Sequence, residues 1–373
     1  MKRTLSLITA TALISTIYAD NIEANLRFGY VDQSNDNQTN NTNAAIGGSL
    51  FYEKHILDNF KAGVGFYTTH RLMDKDDDGV GSGLFDGDDN SYSILGQAYI
   101  DYSIDKTNVK IGRQQIDTPF ADSDDIRMVP NLFNAYILSN TNIENTTLIL
   151  AKVNQWSGVD KENAPEKFDR LSGDGVIMAS AIYDGIKDTT MSAWYYNVDK
   201  LTSIVYIELS TAFNGVNVDS QFANFAETDN STINGNVWGI ALGYENDNFN
   251  IGLATNFVSA DNTDTITNGF GGGPYLTSME ETTLDGLTGD SFAYMVNGGA
   301  KIIDRLSLNV AYGSFEDGSK NTEIDEFDVA VEYEVNEQLN VVGLYTNVST
   351  TINQVDDKET SFDRVQFYAN YNF

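Results

Sequence analysis

Strict period-two alternation recurs along the whole chain, and it constrains the fold more than any other feature. In NFNIGLATNF the apolar Phe249, Ile251, Leu253 and Phe257 alternate with Asn250, Gly252, Ala254 and Asn256; RLSLNVAYGS, EFDVAVEYEV and the closing DRVQFYANYNF behave alike. Successive side chains of a strand point to opposite faces, so each segment reads as a strand with one apolar face. Spacing places about eighteen such strands between residues 21 and 373.

The connections carry a second regularity. Brief links at 57–58, 104–106, 140–145, 184–186, 214–215, 247, 302–304 and 336–337 alternate with long ones at 32–43, 70–90, 114–130, 155–173, 226–233, 259–290, 315–324 and 350–360. The brief link at 199–201 stands where a long one is expected. A soluble sandwich or solenoid has no reason to alternate in this way, whereas an outer-membrane barrel has short periplasmic turns and long outer loops. The fold class expected is therefore all-β: one transmembrane antiparallel barrel, with both termini periplasmic.

Composition agrees. The chain holds 31 Gly, 20 Tyr and 20 Phe but only 4 Pro, a balance suited to pleated surfaces and tight reversals. Its formal charge is −32, which excludes nucleic acid as a partner. There is no cysteine, hence no disulfide framework and no thiolate chemistry. The start MKRTLSLITATALISTIYAD pairs two cations with an apolar run and a small residue at Ala19, so residues 1–19 read as a signal peptide and 20–373 as the barrel. The only histidines are His55 and His70, expected at opposite ends of the barrel, so no nucleophile and base can be paired and no enzyme is expected.

The run VKIGRQQIDTPFADSDDIRMVPNLFNAY resembles the OprD-type outer-membrane porin family. The matching residues are Gly112, Arg113, Gln114, Thr118, Pro119, Asp124, Asp125, Arg127, Pro130, Asn131 and Phe133. The terminal strand also resembles the one by which such barrels are recognised for insertion: Val365, Phe367, Ala369, Tyr371 and Phe373 share a face, and the chain stops on Phe373. The resemblance implies an eighteen-stranded channel narrowed by the third and seventh outer loops, here 114–130 and 259–290. It also implies passage of small hydrophilic solutes, often carboxylates or amino acids.

If the apolar faces meet lipid, the alternate residues line the lumen. Arg27 and Arg364 then fall on neighbouring first and last strands as a basic wall, while Glu326, Asp328, Glu332 and Glu334 form an acidic one, expected to oppose it. Arg113, Asp124, Asp125 and Arg127 complete the expected constriction, although Arg113 shares parity with the outward Val109 and Ile111 and needs a bulge or the loop rim to reach the lumen.

The stretch DKDDDGVGSGLFDGDDN begins like a calcium loop, but its twelfth position is Phe85 and not the bidentate carboxylate such a loop needs. Asp74, Asp76 and Asp78 remain a candidate weak divalent site, with Ca²⁺ as the only cofactor considered, in a loop otherwise expected to be solvated. Expected partners are outer-membrane lipid and lipopolysaccharide, the barrel-assembly machinery through Phe373, and small hydrophilic solutes. Monomer and homotrimer both stay open. A second reading is a surface adhesion barrel whose acidic loops bind partners or divalent cations.

Overall fold

A computed structural model describes residues 21–36, 40–73, 83–161, 164–228, 231–318, 322–352 and 358–373. The expected leader lies outside these residues, as do Asp74, Asp76 and Asp78. Among the described residues there is no helix, so none is long and apolar enough to cross a membrane. Eighteen antiparallel strands form the wall. They are β1 (Asn21–Asn35), β2 (Asn41–Leu57), β3 (Phe60–Arg71), β4 (Tyr92–Ile104), β5 (Thr107–Gln114), β6 (Leu132–Asn140), β7 (Thr146–Ser157), β8 (Val176–Ile186) and β9 (Thr189–Val198) in the first half. The second half holds β10 (Thr202–Phe213), β11 (Val216–Glu227), β12 (Gly235–Glu245), β13 (Phe249–Ser259), β14 (Phe292–Ile303), β15 (Leu306–Asp317), β16 (Thr322–Glu334), β17 (Leu339–Ile352) and β18 (Lys358–Asn372). Each pairs with the next, and β1 pairs with β18 from Asn25↔Asn372 to Asn35↔Phe362, which closes the barrel and leaves no edge.

The expected alternation of connections holds, with one refinement. Ladders run further than the apolar pattern, to Gln33↔Asn41, Asp317↔Thr322 and Ile352↔Lys358, so the first, eighth and ninth long loops shrink to 36–40, 318–321 and 353–357. Main-chain pairing needs no apolar side chain, and where both faces are polar the period-two signal vanishes while the strand continues. On β4 the apolar face jumps from Leu95 to Ala98 and Ile100. Gly96 is the extra residue of a bulge, because Gln97 pairs with Gly65 and Leu95 with Phe66.

Outward residues such as Leu26, Leu50, Phe66, Trp238, Ile251 and Phe257 remain about half exposed, as a lipid-facing band requires. The inward face is not uniformly polar. Toward the long-loop end, Met178, Tyr196, Tyr206, Phe225, Val237, Met295 and Phe315 are buried in one apolar cluster with residues of two loops, L3 (115–131) and L7 (260–291).

Candidate functional site: an ionic constriction inside the barrel

The cluster forms because L3 and L7 fold into the lumen. Phe120, at the tip of a two-stranded turn in L3, lies 5.5–5.6 Å from the ring centroids of Tyr196, Tyr206 and Phe225, and 6.3 Å from that of Tyr275 in L7. L3 and L7 are tied by main-chain bonds, Asp122 N to Phe270 O and Phe270 N to Phe120 O, both 3.0 Å. The Phe270 ring then packs edge-on against Trp156 at 5.3 Å. Edge-to-face aromatic packing of this kind is worth about 0.5–1.5 kcal/mol per pair beyond the area it buries.

The described end of the second loop, residues 83–91 of L2 (72–91), also turns inward, against the expectation of a solvated loop. Leu84 and Phe85 are buried with Val31, Tyr67 and Met128. Thr69 Oγ1 donates to Leu84 O at 2.8 Å, and the Arg71 guanidinium stacks 4.0 Å over Phe85. Space for Leu84 exists because residue 29 is glycine: a Cβ there would lie 3.0 Å from Leu84 Cδ2 and 3.1 Å from Met128 Sδ. Gly83, at φ +69°, comes so close to Arg127 that a Cβ would stand 2.2 Å from Nη1.

Between these loops and the wall runs a chain of charges. Arg27 on β1 donates to both carboxylate oxygens of Asp125, at 2.5 and 2.8 Å, and to Arg127 O at 2.8 Å. Arg127 Nη2 lies 3.8 Å from Glu281 Oε1, and the same carboxylate accepts from Arg364 Nη1 on β18. Arg364 Nε donates to Gln33 Oε1 at 3.0 Å. On the other side, Glu281 N donates to Glu326 Oε1 at 2.9 Å, Thr346 Oγ1 to Asp328 Oδ1 at 2.7 Å, and Gln366 Nε2 to Glu280 Oε1 at 2.9 Å.

Burial pushes the loop carboxyls up. Asp124, also near Asp160, and Glu280 both rise to about 7. Asp122 reaches about 7 through burial and its bond with Asp117. Burial alone would lower the Arg127 guanidinium, yet Tyr368, Glu281 and Glu280 around it hold it above its ordinary value.

Six of the eight residues singled out in sequence meet here: Arg27, Asp124, Asp125, Arg127, Asp328 and Arg364. Two do not. Glu332 lies four residues further along β16, toward the short-turn end, where its Oε1 accepts from Asn340 Nδ2 at 2.5 Å. Arg113 pairs in unbroken register with Ala98 and Asn134, stays on the outward face with Ile111, and stacks 4.3 Å over Phe168. No bulge in β5 turns it inward.

The acidic and basic walls also correct one expectation, since they stand side by side and not opposed. Asp328 faces Thr346 across β16–β17, and Thr346 faces Arg364 across β17–β18. In an up-and-down barrel, strands two apart in sequence are two apart in space, so these charges had to be near neighbours. Sequence reading missed Glu281, which pairs with Arg127 and Arg364, and Glu280 close to Arg127, together with the aromatic anchor Phe120. A signal for the apolar lumen was present in TTMSAWYYNV, where Trp194, Tyr195, Tyr196 and Val198 leave both faces of β9 apolar.

Known structures share this architecture. A BenF-like porin from Pseudomonas fluorescens Pf-5 superposes with a TM-score of 0.80 at 14% identity, over 95% of this chain and 98% of its own. OccAB3 of Acinetobacter baumannii gives 0.78 at 16% identity, over 96% and 100%. OpdK of Pseudomonas aeruginosa, solved with vanillate, gives 0.74 at 15% identity, over 95% and 98%. A search of curated proteins finds no match. The family model for outer membrane porins of the OprD family matches residues 73–373, which takes in L3, L7 and fifteen of the wall strands, and the chain belongs to that family.

Proposed function

We propose that solutes cross this outer-membrane porin through the passage that L2, L3 and L7 leave along β1 and β16–β18, and that the passage prefers cations. The long-loop end is read as extracellular and both termini as periplasmic. The observation that carries the proposal is the ionic chain at the meeting of the loops. Arg27 meets Asp125, and Arg127 and Arg364 share Glu281, while Asp122, Asp124 and Glu280 bring the carboxyls to five against three arginines. A carboxylate excess at a narrowing raises local cation concentration and repels anions. The solutes are small, hydrophilic and charged.

The family is one of channels and not of enzymes. Outer-membrane lipid and small solutes are its partners. Lipopolysaccharide, the assembly machinery and a homotrimeric state extend that set as proposals; Phe373, 75% exposed beside Tyr371, supports recognition of the terminal strand. An adhesive barrel is the less favoured reading, because L2, L3 and L7 turn their apolar residues into the lumen. Single-channel recording in planar bilayers tests the channel reading: discrete conductance steps are expected, and none at any voltage would refute it. Reversal potentials in a salt gradient test the sign; clear anion preference would show that the arginines dominate.

A further inference from the structure

Arg113 belongs to the family's loop motif but faces away from the pore, and its surroundings suggest another task. It is the last outward residue of β5, because the chain turns into the barrel directly afterwards. A cross-strand row runs outward from it: Arg113 pairs with Asn134, Asn134 with Gln155, and Gln155 with Arg170 of L4 (158–175). The row is knitted by Asn134 Nδ2 donating to Gln155 Oε1 at 2.9 Å, and Arg113 Nη1 is steadied by Leu95 O at 3.0 Å. In the next outward row toward the short-turn end, exposed Lys152 pairs with Tyr136, itself 52% exposed. Beyond these come Leu138 and Leu150 of the lipid-facing band.

Lys161 is paired with Asp169 and Lys167 with Glu166, which takes up two of the neighbouring carboxylates. Among the described residues, Arg113, Lys152 and Arg170 have no carboxylate partner. Three cations with no carboxylate in ion-pair contact, on the outer rim of a chain of net charge −32, contrast with the rest of the molecule.

We propose that this rim, centred on Arg113, Lys152 and Arg170, binds the phosphates of an outer-leaflet glycolipid of the lipid A type. The proposal rests on the reading of the long-loop end as extracellular. Charge complementarity selects the occupant. Arginine forks suit phosphate oxygens, aromatic side chains settle at headgroup depth, and the apolar residues below meet the acyl chains. The anchor loop is set by Phe168, whose ring lies under Arg113 and whose carbonyl accepts from Gln155 Nε2 at 3.4 Å.

The test compares retention of bisphosphorylated lipid A with that of its dephosphorylated form on the purified full chain, by native mass spectrometry. Wild type is set against R113E/R170E and the milder R113Q/R170Q, with heat-modifiable gel migration confirming that each barrel is closed. Preferred retention of the phosphorylated lipid is expected, falling roughly tenfold in the reversal variant, with single-channel conductance and selectivity unchanged. Equal retention of both lipids overturns the proposal. So does competition by millimolar inorganic phosphate, which would mark a simple anion site, and so does lipid-free loss of an oligomer in the variants, which would mark an interface between copies. Altered ion selectivity in R113Q/R170Q would return Arg113 to the solute path. A wild-type chain without conductance would remove the channel reading and leave the lipid comparison intact.

Discussion

Ion selectivity should titrate near neutrality, because three loop carboxyls that sit at the narrowing lose their protons near pH 7. Asp122, Asp124 and Glu280 are each pushed to about 7, chiefly by burial. A group with that value is about 3% ionised at pH 5.5 and about 97% at pH 8.5, so the passage gains nearly three negative charges across that interval. One charge ~6 Å from a passing ion is worth about 0.7 kcal/mol at the dielectric of water, less once salt screens it. Three together supply about 1.5 kcal/mol, which favours a cation and opposes an anion by that amount each, or roughly a hundredfold rise in the cation-to-anion permeability ratio. The assay is the reversal potential of single channels in a KCl gradient, measured from pH 5.5 to 8.5. A sigmoid centred near 7 is expected, and the variant D124N/E280Q should flatten most of it. A level profile, or a drift toward anions as pH rises, would refute the placement of these carboxyls on the ion path.

The same carboxyl sets how firmly L7 is held. Glu280 has a value raised above its free one, so the docked loop binds the proton more tightly; its stability is greatest below the free value of 4.5 and is lost as pH rises to and through 7, so open-channel noise should be greater at pH 8 than at pH 5. Phe120→Ala removes the ring that meets four aromatic neighbours, a loss of about 3–5 kcal/mol for a buried Phe. L3 should leave the lumen, raising conductance while gel migration of the closed barrel stays unchanged. Glu281→Gln deprives Arg127 and Arg364 of their shared carboxylate, a change that costs about 3–5 kcal/mol for a buried pair, and should move reversal potentials toward anions. Gly29→Val crowds Leu84, Met128 and Tyr368, with overpacking of about 1–3 kcal/mol; faster proteolysis within L2 is the readout.

The wall was largely legible in the chain because lipid and water impose opposite demands on alternate residues, as at Phe249, Ile251 and Leu253. The seam of Arg27 and Arg364 followed from closure alone, since first and last strands must be neighbours. What pairs with those arginines was not legible. Asp125 and Glu281 arrive on loops whose path depends on where Phe120, Phe270 and Leu84 find apolar surface, and period two says nothing about a loop. The inward Tyr196, Tyr206 and Phe225 do not suit a water-filled lumen, and L3 and L7 cover them. Arg113 shows the limit of motif transfer: parity already argued for the outward face, and the unbroken register of β5 decided it.

The ionic chain has a consequence for assembly. Its members come from the first strand, the third and seventh loops and the last strand, so Arg27 and Arg364 cannot stand on adjoining strands until β1 has paired with β18. A barrel still open at that seam can hold L3 against its aromatic wall but lacks the posts to which Asp125 and Glu281 fasten. The ionic part of the narrowing therefore depends on the closed seam, and it cannot be complete before β1 and β18 have met.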